Sequence, residues 1–589
     1  MSAPNRNTLW ARAILSELAA AGVDAVCVSP GSRSTPLTVA AAEHDDITVF
    51  SHLDERAAAY FALGRAKRTG RPTPLICTSG TAAANYHPAV LEADRGRVPL
   101  LALTADRPPE RTDTGANQTA DQEKLYGDAV RWYRDLPEPA ADDRKLRTLR
   151  TTVARAVAAS ADAPAGPVHL NCRFRKPLEP TAVPGDVPDS FSATHPEAAT
   201  GRDGPYVRTT PSTRTPDGDA IARLAADVEP AERGLVVCGP TSGLDSESLR
   251  ELVDATGFPV LADPLSGVRF GPHVPETPVF GGYDAYLDER ITDAWPDPDT
   301  VIRFGASPTS KTLRKYLSRT GARQYLVDPA GGAGWREAES RVTERIAADE
   351  AALASALAGR LSRDPTREWH DRFARAEATH FRGAALAPDS MEGSVVRTAF
   401  DAAPAGSSVF VSNSMPVRDA DRFVAPGEKQ VGIFGNRGVS GIDGITSTAL
   451  GVGSASDGPL VLLTGDVAYY HDLTGLLAIE RCGVDATVVL INNDGGGIFH
   501  MLPIESFDPP FESQFKTPHG VDFAPTGDLF DFEFVRSAPD SFAETYRASL
   551  SSAGTQVIEV RTDSAASHRA RECLQDELAD ALAGTEGEE

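Results

Sequence analysis

The sequence predicts an α/β protein built from three doubly wound parallel-sheet domains, and three observations carry that expectation. Short apolar runs of strand length alternate with longer helical patterns along most of the chain. Such alternation requires crossover connections and therefore parallel strands. A stretch rich in Pro, Gly, Ser and Thr at 181–217 separates the first alternation from the next. At 589 residues the chain is also too long for a single core, and length alone argues for roughly three or four domains.

In the first region, 1–180, the helical pattern TLWARAILSELAAAG leads to the strand VDAVCVSP and the loop Gly31-Ser32-Arg33-Ser34. The strand ITVFSH precedes the helix ERAAAYFALGRAKRTG, and PLICTSG precedes the helix TAAANYHPAVLEADRG. VPLLALTA, a helix around 147–159 and PVHLNC complete the alternation. The segment 181–217 is dense in turn formers and poor in apolar periodicity, so it reads as an interdomain linker. Beyond it, 218–385 offers the strands GLVVCG, FPVLAD, TVIRFG and QYLVD, then a helical connection at 347–386. The third region, 386–589, is again α/β, and the first and third regions are candidates for related folds.

The third region carries the most informative stretch. An apolar run at 460–463 ends in Thr464-Gly465-Asp466, and a helical stretch with Leu473, Leu476, Leu477 and Ile479 follows. A second apolar run at 488–491 ends in Asn492-Asn493-Asp494-Gly495. A strand–helix–strand crossover brings both strand ends to one edge of a parallel sheet, so Asp466 and Asn493 are expected side by side at a ligand crevice. One carboxylate and one amide are hard oxygen ligands that suit Mg²⁺, or Mn²⁺, held jointly with a diphosphate. The run Gly495-Gly496-Gly497 lets the backbone approach that ligand closely. Either residue alone reads more plainly as a helix cap; the pair at adjacent strand ends, with three glycines, favours the site. The spacing resembles the Gly-Asp…Asn-Asn signature of thiamine-diphosphate enzymes.

Bulk composition narrows the class further. Hydrophobic content of 41% with 24% charged residues describes a folded chain. The six cysteines are scattered without a CxxC pair, several of them inside apolar runs. They read as buried reduced thiols of a cytoplasmic protein rather than as a zinc site or disulfide frame. No leader pattern and no apolar run of membrane-spanning length is present, so no membrane partner is expected. With 83 acidic against 58 basic residues the formal net charge is −25, and only eight of the basic residues are lysine. That balance argues against a nucleic-acid partner. It resembles adaptation to a salt-rich cytoplasm, where screening weakens self-repulsion.

A thiamine cofactor also needs a carboxylic side chain beside N1′ of its aminopyrimidine ring. Glu55, directly after the strand ITVFSH and opening the next helix, is the candidate; Asp54 or Glu55 could equally serve as a helix-terminal acid. The segments SPGSRSTPL, DERAAAYFALGRAKRTGRP, CTSGTAAANYHPAVLEA, TADRPPERTDTGANQT, SNSMPVRDAD, GNRGVSGIDG and INNDGGGIFHMLP occur in this order. Together they resemble the thiamine-diphosphate carboligases that act on 2-oxoglutarate and isochorismate in menaquinone biosynthesis. The resemblance runs from Leu9 to about Pro503 and is weakest in the middle.

The resemblance implies a pyrimidine-binding domain at 1–180, a central domain at 218–385 and a diphosphate-binding domain at 386–589. It implies thiamine diphosphate and Mg²⁺ as cofactors, and a homodimer or homotetramer whose site is shared between chains. By motif, Glu55 is the pyrimidine partner and the catalytic residue. Asp466, Asn493 and the Gly495 carbonyl are the metal ligands, with Gly465, Ser414 and Ile442 against the cofactor. Both substrates are dicarboxylates, which arginine's planar fork suits. The matching motifs supply Arg33, Arg107, Arg418 and Arg437, with Ser32, Gln118, Asn413 and Ser414 as neutral partners and Ile498 and Phe499 as an apolar wall. Lys311 is a further cation from the central region, followed by Thr312 where some relatives carry a second basic residue. No GxGxxG occurs in the central region, so FAD is not expected. Two other readings stay open: another thiamine-dependent 2-oxo acid decarboxylase or carboligase, such as an acetolactate synthase, and a silent relative acting as a binding protein.

Overall fold

The computed structural model describes residues 3–330, 334–362 and 367–585. It contains three parallel sheets of six strands. The first is made of β1 (Ala25–Val28), β2 (Thr48–Ser51), β3 (Thr73–Cys77), β4 (Leu100–Asp106), β5 (Trp132–Leu136) and β6 (Pro167–Arg173), in the order β2-β1-β3-β4-β6-β5. The second holds β7 (Gly234–Cys238), β8 (Val260–Ala262), β9 (Val279–Phe280), β10 (Thr300–Phe304), β11 (Arg323–Val327) and β12 (Glu344–Ile346), ordered β12-β11-β10-β7-β8-β9. The third holds β13 (Ser408–Val411), β14 (Gly432–Phe434), β15 (Leu460–Gly465), β16 (Thr487–Asn492), β17 (Glu533–Ser537) and β18 (Gln556–Arg561), ordered β14-β13-β15-β16-β18-β17. The first and third sheets thus share one strand order. Central strands such as β3, β7 and β16 are buried along their whole length, which is why they read as unbroken apolar runs.

By compactness the chain divides into two units. One comprises 1–211 with 436–457 and 470–485; the other comprises 212–435, 458–469 and 486–589. In the first unit the helix Ile445–Gly453 lies directly along the helix Glu55–Thr69. Their backbones meet: a Cβ on Gly64 would fall 1.9 Å from the Thr448 carbonyl oxygen, and one on Gly451 would fall 2.0 Å from that of Phe61. Only glycine permits such an approach.

The expected linker is not loose along its length. The buried guanidinium of Arg150 donates to the carbonyls of Ala198 (3.0 Å) and Ala199 (2.9 Å) and reaches Glu17, so the turn-rich segment is tied to the first unit. The helical stretch expected after Asp466 is also interrupted. It runs as Asp466–His471, the 3-10 turn Leu473–Leu477 and Ala478–Cys482. The break falls at Asp472, whose fully buried carboxylate accepts from the Ser447 N–H at 2.7 Å.

In the second sheet the strand order reverses between β10 and β7, the place where open α/β sheets bind ligands. Here that crevice is filled by the chain itself. The buried Glu350 carboxylate accepts from the Gly305 N–H at 3.2 Å and from the Gly243 N–H. Among the described residues no helix is long and apolar enough to cross a membrane.

Candidate active site

In the second unit β13, β15 and β16 are adjacent and parallel, with Val411 opposite Leu463 and Gly465 opposite Ile491. Their C-terminal ends therefore deliver Asn413 and Ser414, Gly465 and Asp466, and Asn493 to Gly495 along one sheet edge. Asp466 is 2% exposed. Its Oδ1 accepts from the Val467 N–H (2.8 Å), and its Oδ2 accepts from the Gly495 N–H (2.9 Å) and lies 3.2 Å from His519 Nε2. Burial pushes the Asp466 carboxyl up, and these donors pull it back. Asn493 donates its Nδ2 to Glu392 Oε1 at 2.8 Å, while its buried Oδ1 has no partner among the described residues.

The glycine run behaves as its composition suggests. Gly495 has φ 135°, and a Cβ there would fall 2.1 Å from the Lys516 carbonyl oxygen. At Gly465 a Cβ would meet nothing within 4 Å, which leaves open space beside Asp466. Ser414 has φ 70°, a conformation that costs a non-glycine residue energy and is typical of ligand-binding turns. Arg418, one turn into the helix Met415–Phe423, donates back to the Ser414 carbonyl at 2.5 Å. Ile498 and Phe499 are half-buried, with the Phe499 ring 5.5 Å from that of Phe515. Lys311 is exposed and opens the helix Lys311–Arg319, where a cation is electrostatically unfavourable and so serves no capping purpose.

The first unit presents a second set. β1, β2, β3 and β4 are neighbours, and the loops after them carry Ser32 and Arg33, Glu55, Thr78 and Ser79, and Arg107. Asp54 is the helix cap: its Oδ1 accepts from the Arg56 N–H (2.8 Å) and the Ala57 N–H (3.4 Å), and its Oδ2 accepts from Thr474 (2.7 Å). Glu55 is half-buried, and its carboxylate has no hydrogen-bond or ion-pair partner among the described residues. Asp54 thus fills the capping role that either acid could have taken.

Arg33 is buried, donating its Nη1 to the Phe174 carbonyl (2.8 Å) and its backbone N–H to Thr78 Oγ1 (3.1 Å). Burial lowers its pKa, and nearby Arg107 and Arg111 add to that, so three guanidinium groups share one neighbourhood. Gln118 has φ 53°; its carbonyl accepts from Ser79 Oγ (3.0 Å) and Arg107 Nε (3.4 Å). Ser32 is exposed beside Arg33.

Arg437 and Ile442 lie on a loop of the same unit that is gripped from two sides. The fully buried Glu92 accepts from three successive N–H groups, those of Gly438 (2.8 Å), Val439 (2.6 Å) and Ser440 (2.9 Å). A Cβ on Gly438 would fall 2.7 Å from Glu92 Oε2, so glycine is required after Arg437. On the other side Tyr60 bonds Ser440 Oγ at 2.8 Å and the Asp443 carboxylate. Arg437 is exposed and Ile442 half-buried.

The expected residues therefore fall into two sets: Ser32, Arg33, Glu55, Arg107, Gln118, Arg437 and Ile442 in one unit, and the remainder in the other. Sequence reasoning missed Glu92, Glu392, Thr78, Ser79 and His519. A hydroxyl pair directly after a strand, as in CTSG, was a readable signal; the two glutamates offered none, since each sits in a helix like any surface acid.

Comparison with known proteins agrees with the geometry. Residues 10–125 match the family model described as thiamine pyrophosphate enzyme, N-terminal TPP binding domain. Residues 202–410 match the middle domain of thiamine pyrophosphate, and 412–560 the C-terminal TPP binding domain. The chain is 59% identical to the 2-succinyl-5-enolpyruvyl-6-hydroxy-3-cyclohexene-1-carboxylate synthase of Haloarcula marismortui, over 99% of this chain and 100% of that protein. It is 57% identical to the protein of the same name from Halorubrum lacusprofundi, covering 100% of both. Identity to that of Roseiflexus castenholzii is 46%, over 95% of this chain and 96% of that one. A solved structure, the Rhodococcus jostii RHA1 thiamine diphosphate-dependent 4-hydroxybenzoylformate decarboxylase, matches with TM-score 0.69 over 94% of this chain and 99% of that one. At 18% identity it is a likeness of fold alone.

Proposed function

This chain belongs to the 2-succinyl-5-enolpyruvyl-6-hydroxy-3-cyclohexene-1-carboxylate synthase family of thiamine-diphosphate enzymes, and on that premise we propose how its residues divide the work. The reaction decarboxylates 2-oxoglutarate and joins the remaining succinyl unit to isochorismate, a step of menaquinone biosynthesis. When bound, thiamine diphosphate supplies a nucleophilic thiazolium carbon and the electron sink that decarboxylation of a 2-oxo acid needs.

The observation that carries the cofactor assignment is the buried, unpartnered Oδ1 of Asn493 at the strand end next to that of Asp466. A polar atom left so is costly unless a ligand completes it, and a hard divalent cation does. Asp466, Asn493 and the Gly495 carbonyl accordingly hold Mg²⁺ or Mn²⁺, with Gly465 and Ser414 leaving room for a diphosphate. Glu55, claimed by no neighbour, holds a proton at N1′ of the aminopyrimidine. Ile442 would supply apolar support to the bound cofactor.

The remaining residues bind and orient two dianions. Arg33 and Arg107 form a fixed cationic pair whose partial burial strengthens their field. Arg437, Arg418 and Lys311 add charge, Ser32, Gln118, Asn413 and Ser414 add neutral hydrogen bonds, and Ile498 and Phe499 shield the reacting carbon from water. No protein nucleophile is required; orientation and charge complementarity carry the residues' share of the catalysis. The domain roles are pyrimidine binding for 1–180, a central domain for 218–385 and diphosphate binding for 386–589. The enzyme works in the cytoplasm as a homodimer or homotetramer, each site drawing on two chains.

The test is a competition. The purified chain with thiamine diphosphate and Mg²⁺ is offered pyruvate and 2-oxoglutarate together with isochorismate. CO₂ release from 2-oxoglutarate with loss of isochorismate is expected, and Arg107→Ala should raise the KM of a substrate while leaving cofactor affinity unchanged. Preference for pyruvate with isochorismate untouched would replace this reading by a different carboligase.

A further inference from the structure

Asn493 has an amide, and an amide can face a cation with either end. Rotated by 180°, it would present two N–H donors to the metal instead of an oxygen, at nearly the same shape. Something must decide between the two, and Glu392 is placed to do so. It opens the helix Glu392–Ala402, yet it does not behave as a first-turn acid exposed to solvent: it is 4% exposed and its Oε1 accepts from Asn493 Nδ2 at 2.8 Å. The same oxygen accepts from Thr562 Oγ1 at 3.3 Å, and Thr562 is itself fixed by its backbone N–H to the Asn492 carbonyl at 2.9 Å. The Glu392 backbone N–H is anchored on Ser567 Oγ at 3.3 Å. The amide nitrogen is also hemmed sterically, since a Cβ on Gly497 would fall 2.5 Å from it.

A carboxylate only accepts hydrogen bonds, so it can face the NH₂ end of an amide and not the oxygen. We propose that Glu392 is a positioning residue that pins the Asn493 amide with its nitrogen inward, so that Oδ1 is the atom offered to the divalent cation. The role rests on the reading of Asp466, Asn493 and Gly495 as the metal ligands, and it extends that reading to a residue whose sequence context, MEGSVV, gives no hint of it. It accounts for two facts together: a buried acid with no cation in hydrogen-bond contact among the described residues, and a buried amide oxygen with no partner among them.

The test exploits symmetry. An aspartate at 493 has oxygen at both ends and needs no orienting, but beside the Glu392 carboxylate it is repelled. Mn²⁺ binding to the full-length chain, in the presence of thiamine diphosphate, is measured by electron paramagnetic resonance for the wild type, E392Q, N493D and the double variant. Partners that orient a metal ligand typically contribute about 10- to 100-fold in affinity. E392Q should weaken Mn²⁺ by about tenfold or more within that range. The double variant E392Q/N493D exchanges the two groups, so that an amide at 392 donates to a carboxylate at 493, and it should recover most of the wild-type affinity. Unchanged Mn²⁺ affinity in E392Q would overturn the proposal, as would a loss of the same size in the N493D background, because a residue acting only through the fold shows no such coupling. Should E392Q not fold, the double variant decides alone: near wild-type affinity supports the role, and a loss of about tenfold or more refutes it. D466A separates the underlying reading. If D466A weakens Mn²⁺ while E392Q does not, only the orienting role falls; if D466A has no effect, the ligand set falls and this role with it.

Discussion

Replacing Glu92 by glutamine tests whether one buried carboxylate shapes the loop that carries Arg437 and Ile442. In the wild type Oε1 accepts from Gly438 and Oε2 from both Val439 and Ser440, with Lys67 Nζ 3.9 Å from Oε1. The amide can keep only one acceptor, and keeping the doubly used one places its NH₂ against the Gly438 N–H. One hydrogen bond to a charged acceptor is then lost, about 2 kcal/mol, and two others become neutral, about 1 kcal/mol each. The sum of about 4 kcal/mol is offset in part because the amide no longer has to be stripped of a carboxylate's hydration. A net loss of about 2–3 kcal/mol in the stability of the closed loop remains, which at about 1.4 kcal/mol per tenfold is about 30- to 150-fold in its opening equilibrium. Amide hydrogen exchange resolved on a peptide spanning 436–444 reads that quantity locally. Exchange there should accelerate by this factor while β3 and β4 stay protected, and the KM for a substrate should rise with it. Exchange within about twofold of wild type would refute the reasoning, because it would mean that the three N–H groups find other acceptors at no cost.

Other expectations follow from the same geometry. Glu55→Gln should abolish exchange of the cofactor's C2 proton, whereas Asp54→Ala should cost about 1 kcal/mol of helix stability through the lost cap and leave that exchange close to wild type; proton exchange followed by NMR in both variants distinguishes them, and equal rates in Glu55→Gln and wild type would end the assignment. With a net charge of −25, thermal stability should rise from low to molar KCl as screening shortens the reach of repulsion from about 10 Å to about 3 Å; a flat or falling melting temperature would count against salt adaptation. His169 is fully buried, 2.7 Å from Thr104 Oγ1, and burial pushes its pKa down to about 3. Because the folded value lies below the unfolded one of about 6.5, only the unfolded chain gains a proton as pH falls below that value. Stability from this group is therefore present above pH ~6.5 and lost below it at up to about 1.4 kcal/mol per pH unit. The advantage of wild type over His169→Gln in urea unfolding should shrink by that much per unit between pH ~6 and ~4, and a constant difference would contradict it.

What could be read from the sequence depended on whether a residue's role is local. Asp466 and Asn493 were legible because each follows a buried strand whose apolar run is unbroken, and parallel register then places them together without further information. Arg33 and Arg107 were named through the family motifs that carry them, and they lie in the turns after β1 and β4. Glu92 and Glu392 were not legible, because their partners lie 346 and 101 residues away and nothing in HPAVLEADRG or MEGSVV distinguishes them from solvated helix acids. Two edge strands were lost as well. β5 (WYRDL) and β17 (EFVRS) are in part exposed and carry charge, so neither shows the continuous apolar run of the central strands. Which of Asp54 and Glu55 caps the helix was open in the sequence because either could; in the structure Asp54 takes both N–H groups.

The acid excess, read from composition as one property of the surface, consists of two populations with different physics. Asp263, Glu92, Glu350 and Asp472 are all buried, and each accepts backbone N–H groups from a loop or a helix start: Leu265 and Thr309, Gly438 to Ser440, Gly243 and Gly305, and Ser447. Burial raises Asp472 to about 6 and pushes Glu350 up, and for these two the backbone donors, with Arg56 and Arg336 nearby, offset part of the desolvation penalty. Counter-ions do not reach them, and the interactions they make are not screened as those of exposed charges are. Salt therefore acts on the exposed acids, whose mutual repulsion it weakens, while the loops that carry Arg437 and Ile442 and that close the central crevice are set by fixed internal charges. A chain can thus depend on high salt for its overall stability and still keep the geometry of its site independent of it.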